Sequence, residues 1–171
     1  MLRRNAIWAA LVVGVAIVQT TWLEALLFAG VLPDLVLVLV VFFAIAEGEE
    51  RAMLTGAVGG VFQDVASGAV LGHHVLCYVV VAFVLGRVSS RLITEHPAVK
   101  AGLVLLAAFV RGVLFTAVFC IQNPGVRLVH SIVATVIPAA FYTAIVSPVV
   151  FMLMDRTYGR GQIYQGARPD V

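Results

Sequence analysis

The run from Ala52 to Gly86 contains no lysine or arginine and a single carboxylate, Asp64. It is too long for one ordinary membrane crossing and too short for two, since a spanning helix takes about 20 apolar residues, with roughly 17 to 25 tolerated. Two crossings are predicted, turning near Ser67 to Gly72, where a Ser-Gly pair and a second glycine interrupt the apolar pattern. Shortened helices fit only if the membrane thins or the turn is sunk below the outer surface. A sunken turn must be buried in protein or line a wet cavity, and that is the expectation here.

Composition generalises the argument to the whole chain. With 62% apolar residues, 12% charged residues and a mean hydropathy of +1.07, there are too few polar side chains to cover a soluble core. The surface must face lipid, so the fold class is all-α integral membrane. A net charge of +2 does not indicate nucleic acid, because the basic residues are scattered between apolar runs, where membrane orientation accounts for them. Cys77 and Cys120 lie inside apolar runs without metal-ligand spacing and read as small hydrophobes. The N-terminus has a basic start and an apolar run but no small-x-small cleavage site before "WLEALLFAG", so it reads as a retained first span.

Six spans are predicted. The first runs from Ile7 to Phe28, with Trp8 and Trp22 as interfacial anchors, and the second from Leu35 to Ala46, started by Pro33 and closed by Glu47, Glu49, Glu50 and Arg51. The third and fourth share Ala52 to Gly86. The fifth runs from Ala101 to Ile121, and the sixth from Leu128 to Met154, with kinks expected at Pro138 and Pro148. Residues 1–154 thus form a six-span domain and 155–171 a flexible cytoplasmic tail. Placing both termini in the cytoplasm puts every lysine and arginine there except Arg127 outside and Arg111 within the fifth span, as the distribution of basic residues in membrane proteins requires.

Asp64 is costly in a membrane, by about 2.5 to 3.5 kcal/mol, and calls for a partner inside the protein. It shares a helix face with Gly56, Gly60 and Gly68, a small-residue stripe that lets another helix approach closely. Arg111 is the other strongly charged residue deep in a span. Each lies 11 residues past its span's inner end, Asp64 from Met53 and Arg111 from Lys100, roughly 16 Å of helix. An Asp64–Arg111 ion pair is therefore predicted, serving either as a packing clamp or as part of a transport or proton-relay site. Gln63 adds at most one hydrogen bond.

His73 and His74 read as interfacial histidines pointing in different directions, and His96 and His130 as isolated ones. No ligand-spaced cluster accompanies them, so no metal or cofactor is expected. Phosphate-loop, H-E-x-x-H and G-x-S-x-G patterns do not occur, and catalysis has no visible carrier.

Pro33-Asp34-Leu35 opening the second span, the charged break, the glycine-rich third span ending in Asp64-x-x-Ser67-Gly68-x-x-x-Gly72, the histidines after it, and Gly86-Arg87 closing the fourth form an ordered set. In these features residues 32–92 resemble the MreD family of bacterial rod shape-determining membrane proteins. The resemblance implies a compact six-helix bundle similar to the S-components of energy-coupling-factor transporters, in the bacterial inner membrane. It also implies a non-catalytic scaffold that binds MreC and, directly or through it, MreB, RodA and its penicillin-binding transpeptidase. The alternative from another class is a small-molecule-binding subunit of a transporter, using a pocket below the turn.

Overall fold

The computed structural model describes residues 2–21, 27, 30–68, 71–89, 96–123, 125 and 127–158. Among these residues six helices form. They are α1 (Leu2–Thr21), α2 (Leu35–Ala46), α3 (Glu49–Ser67), α4 (His73–Ser89), α5 (Pro97–Gln122) and α6 (Leu128–Tyr158), the last containing a π-helical turn over Ile132–Val136.

Helix α2 explains the arrangement of the others. Its 12 residues rise about 18 Å, well short of a bilayer core of about 30 Å, and they are apolar on every side. A helix hydrophobic all round has to be enclosed. From Val36 through Ala44 no residue is more than 3% exposed, and α2 touches all five other helices. It is the axis around which the rest pack.

An enclosed helix cannot leave its terminal amides and carbonyls to water. At the start of α2, Asp34 is the N-cap, its Oδ1 accepting from Leu37 N at 2.9 Å, while Gln19 Oε1 of α1 accepts from Val36 N at 2.9 Å. The Asp34 amide donates to Thr143 Oγ1 of α6 at 3.0 Å. In the last turn, Ser89 Oγ of α4 donates to the Ala44 carbonyl at 3.1 Å. Three neighbouring helices thus satisfy backbone groups of the central one.

Glycines set the distance between α3 and α4. A Cβ on Gly60 would lie 2.6 Å from Val75 Cα, one on Gly56 3.0 Å from Tyr78 Cβ, and one on Gly86 2.5 Å from Glu49 Cα. These contacts hold a single antiparallel register along the hairpin. Gly68 ends α3 in the left-handed region at φ 61°, and Gly72 precedes α4 at φ 98°, backbone conformations that favour glycine.

The helices alternate in direction. One end of the bundle collects the start of α1, the α2–α3 junction and the ends of α4 and α6. There Arg51 donates to Asn5 Oδ1 at 2.8 Å and to Glu47 Oε2 at 2.9 Å, Arg87 to Glu49 Oε2 at 3.2 Å, and the Tyr158 hydroxyl to Glu47. The start of α5 is at this end too, with Lys100 Nζ 5.5 Å from the Phe151 ring centroid. Trp8, predicted as an interfacial anchor, donates its indole N–H to Thr55 Oγ1 at 2.9 Å and carries the Arg51 guanidinium over its ring.

Three helical segments are long and apolar enough to cross a membrane, Arg4–Thr21, Pro97–Gln122 and Leu128–Tyr158, while α2 and α4 are shorter apolar helices. Leu106, Phe109, Phe141, Ile145, Val149 and Met152 are exposed on α5 and α6, an exterior suited to lipid and not to water.

Several sequence expectations need correction. The first helix begins earlier than predicted, at Leu2, and is described as far as Thr21; Trp22 and the predicted end at Phe28 lie outside the described residues. Ser67, Gly68, Leu71 and Gly72 are exposed, so these residues of the turn are not buried in protein; the buried polar groups lie beneath them. The irregularity in α6 is the π turn just ahead of Pro138, and it presses Val136 against Gly112, where a Cβ would lie 2.4 Å from Val136 Cγ1. Helix α6 continues through Pro148, and the Ser147 hydroxyl donates to the Ala144 carbonyl at 2.8 Å, which the proline leaves without its helical amide. It also runs on to Tyr158; the tail expected from residue 155 is helical that far, and residues 159–171 lie outside the described residues.

Candidate functional site

Two buried polar clusters lie at the end of the bundle opposite the charged junction, both built on α4. The first is centred on Asp64, which is 1% exposed. Its Oδ1 accepts from His74 N and from His74 Nδ1, each at 2.8 Å, and its Oδ2 accepts from Gly72 N at 2.8 Å. An ionised carboxylate only accepts, so the ring bond places the imidazole proton on Nδ1. Asp64 thus caps the first turn of α4 from the last turn of α3 and closes the hairpin with its side chain.

The second cluster is centred on Asp34. The Tyr78 hydroxyl donates to both of its oxygens, at 2.8 and 2.9 Å, in addition to the α2 cap described above. Arg111 Nε lies 3.4 Å from Asp34 Oδ2, within ion-pair range but not aligned as a hydrogen bond. The guanidinium sits over the rings of Tyr78 and Phe115, with its carbon 4.8 and 5.3 Å from their centroids. Cation–π attraction of this kind contributes about 0.5 to 2 kcal/mol, so two aromatic faces supply part of what a second carboxylate would.

The predicted Asp64–Arg111 pair is therefore replaced by two other pairs, Asp64–His74 and Asp34–Arg111. Matching depth along two helices was not sufficient because α4 and α2, not α3, are the neighbours of α5 on this side. Asp34, singled out in the sequence as part of the start of α2, supplies the missing carboxylate, and Pro33 is buried beside it.

His73 and His74 also depart from expectation. Both are buried, and both face Phe115 of α5: His73 Nε2 lies 3.1 Å from the Phe115 carbonyl and its ring stacks on the Phe115 ring at 4.2 Å. Ser67 Oγ contacts the Asp64 carbonyl at 3.4 Å. Gln63 Nε2 is buried without a hydrogen bond. Tyr78, Thr143 and Gln19 were not singled out in the sequence. His74 and Tyr78 are one helical turn apart, a spacing that places them on one face, and this was the available signal for Tyr78.

A cavity of about 300 Å³ opens between the start of α2, α5 and the π turn of α6, lined by Asp34, Arg111, Phe115, Thr116, Thr135 and Thr143 among others. Among the described residues no three His, Cys, Asp or Glu side chains gather as a metal site. The carboxylates of both clusters are occupied by internal donors, which leaves them to hold helices together.

A helical bundle with a lipid-compatible exterior, a fully enclosed central helix and ionisable groups paired inside is an integral membrane protein. The chain belongs to the MreD family: the family description, rod shape-determining protein MreD, matches residues 2–158. Searches of curated proteins and of solved structures each return no match.

Proposed function

We propose that this protein is a non-catalytic scaffold of the cell-wall elongation machinery, binding MreC and linking it to RodA, its penicillin-binding transpeptidase and MreB, directly or in turn. Family membership over residues 2–158 carries the reading. The internal pairing of Asp34 with Tyr78 and of Asp64 with His74 supports it, because a scaffold satisfies its polar groups within itself and meets partners through helix faces and short loops. In this reading the chain crosses the bacterial inner membrane six times with both termini cytoplasmic, and the charged junction of Glu47, Arg51 and Arg87 lies on the cytoplasmic side. The family resemblance further implies an arrangement similar to the S-components of energy-coupling-factor transporters.

A second reading, a small-molecule-binding subunit of a transporter, draws on the cavity beside Arg111, whose Nε makes no hydrogen bond. Co-purification of the tagged protein from native membranes separates the two. Recovery of MreC and the synthases supports the scaffold. Recovery of a tightly held small molecule without those proteins overturns it.

A further inference from the structure

Two clefts lie along the seam between α5 and α6, each lined among the described residues by these two helices alone. The first, of about 240 Å³, is at the end where α5 begins; Lys100 and Asp155 bring opposite charges to it, beside Ala101, Pro148, Phe151 and Met152. The second, of about 360 Å³, is lined only by apolar residues, among them Leu105, Phe109, Ile137 and Phe141. It lies deeper by about 7 to 14 Å, the rise from Lys100 to Leu105 and Phe109 at 1.5 Å per residue.

The charges in the first cleft have no ionic partner among the described residues. Lys100 Nζ rests over the Phe151 ring and Asp155 Oδ1 is buried without a hydrogen bond. Among the described residues the two side chains form no ion pair with each other or with another group. Ser147, also in the lining, spends its hydroxyl on the Ala144 carbonyl. A shielded carboxylate oxygen is costly unless a donor reaches it, and none of the described residues supplies that donor.

We propose that the α5–α6 seam holds one phospholipid with a zwitterionic amino head group, its phosphate at Lys100, its ammonium at Asp155 and one acyl chain running to the apolar cleft. The sequence of features along the seam matches such a molecule: two opposite charges first, then an apolar trough, both open on the surface that exposes Met152, Phe141 and Phe109. An anionic head group without an amine satisfies Lys100 but sets its negative charge against Asp155. The pairing of charges therefore selects for the amine. In the six-span topology the lipid belongs to the cytoplasmic leaflet.

The test uses the full-length protein, stripped of lipid in detergent and titrated with phosphatidylethanolamine or phosphatidylglycerol of identical chains, with bound lipid counted by native mass spectrometry. Phosphatidylethanolamine is expected to bind about tenfold more tightly, the difference of one charge-assisted contact. Asp155→Asn is expected to abolish the preference, and Lys100→Gln to weaken both lipids. Equal binding or a preference for phosphatidylglycerol in the unmodified protein overturns the proposal whether or not the variants fold. A preference that survives Asp155→Asn does the same. Shortening the acyl chains is expected to weaken binding, and unchanged affinity removes the apolar cleft from the site.

Discussion

The Tyr78 hydroxyl bridges both oxygens of Asp34 while the same carboxylate caps α2 and lies 3.4 Å from Arg111. One side chain thus ties together a helix terminus, the α4 face and the only arginine among the described residues lodged within α5.

Removing that carboxylate leaves two donors, Leu37 N and the Tyr78 hydroxyl, without an acceptor and Arg111 without its counter-charge. Asp34→Ala is expected to cost about 3 to 5 kcal/mol, the range for breaking a buried charge pair. Tyr78→Phe removes one donor and leaves the cap in place, so a loss of about 1 to 3 kcal/mol is expected. Reversible unfolding in micelles reads both, and equal losses would mean that Asp34 acts through Tyr78 alone.

The observed Asp64–His74 pair and the sequence-derived Asp64–Arg111 pair make opposite forecasts for double variants. Asp64→Asn and His74→Gln share direct bonds and are expected to couple by about 0.5 to 3 kcal/mol. Asp64→Asn and Arg111→Gln have separate partners and should add within about 0.5 kcal/mol. Strong coupling of the second pair would show that the sequence-derived Asp64–Arg111 contact forms after all.

Glycines on the α3–α4 contact and on the exposed face of α5 should answer alanine differently. Gly60→Ala drives a methyl into the backbone of Val75 and is expected to cost about 1 to 3 kcal/mol or more, the range for overpacking. Nothing lies within 4 Å of the Cβ built on Gly102, and Gly102→Ala in a helix interior is expected to stabilise by about 0.5 to 1 kcal/mol. Both are read as shifts in melting temperature.

Thr143→Val keeps the shape of α6 but withdraws the acceptor of the Asp34 amide. A buried amide left unpaired costs about 1 to 3 kcal/mol. Thr143→Ser retains the hydroxyl and should recover most of that stability. If valine is tolerated and serine is not, the methyl group rather than the hydrogen bond is what matters at this position.

How much could be read in advance depended on whether a feature was local. Helix α2 has the ends that its apolar run predicts, Leu35 and Ala46, because Pro33-Asp34 and Glu47 mark them in the chain itself. The α3–α4 hairpin was legible for the same reason: Gly68 and Gly72 are needed by the turn they make. The partner of Arg111 was not legible, since depth along a helix says nothing about which helices are neighbours. Burial of His73 and His74 was missed because their cover, Phe115, comes from α5, 42 residues beyond His73 in the case of the carbonyl contact. Tyr158 looked like part of a polar tail until Glu47, 111 residues earlier, supplied its acceptor.

The cap of α2 also has a consequence for biosynthesis. The acceptor for the Asp34 amide is Thr143, 109 residues later in the chain, so α2 leaves the ribosome long before its terminus can be completed. Until α6 is made, the central helix has an unfinished end within a partly assembled bundle. Nascent chains stopped ahead of Thr143 should therefore be more open to quality-control proteases than chains released just after Tyr158.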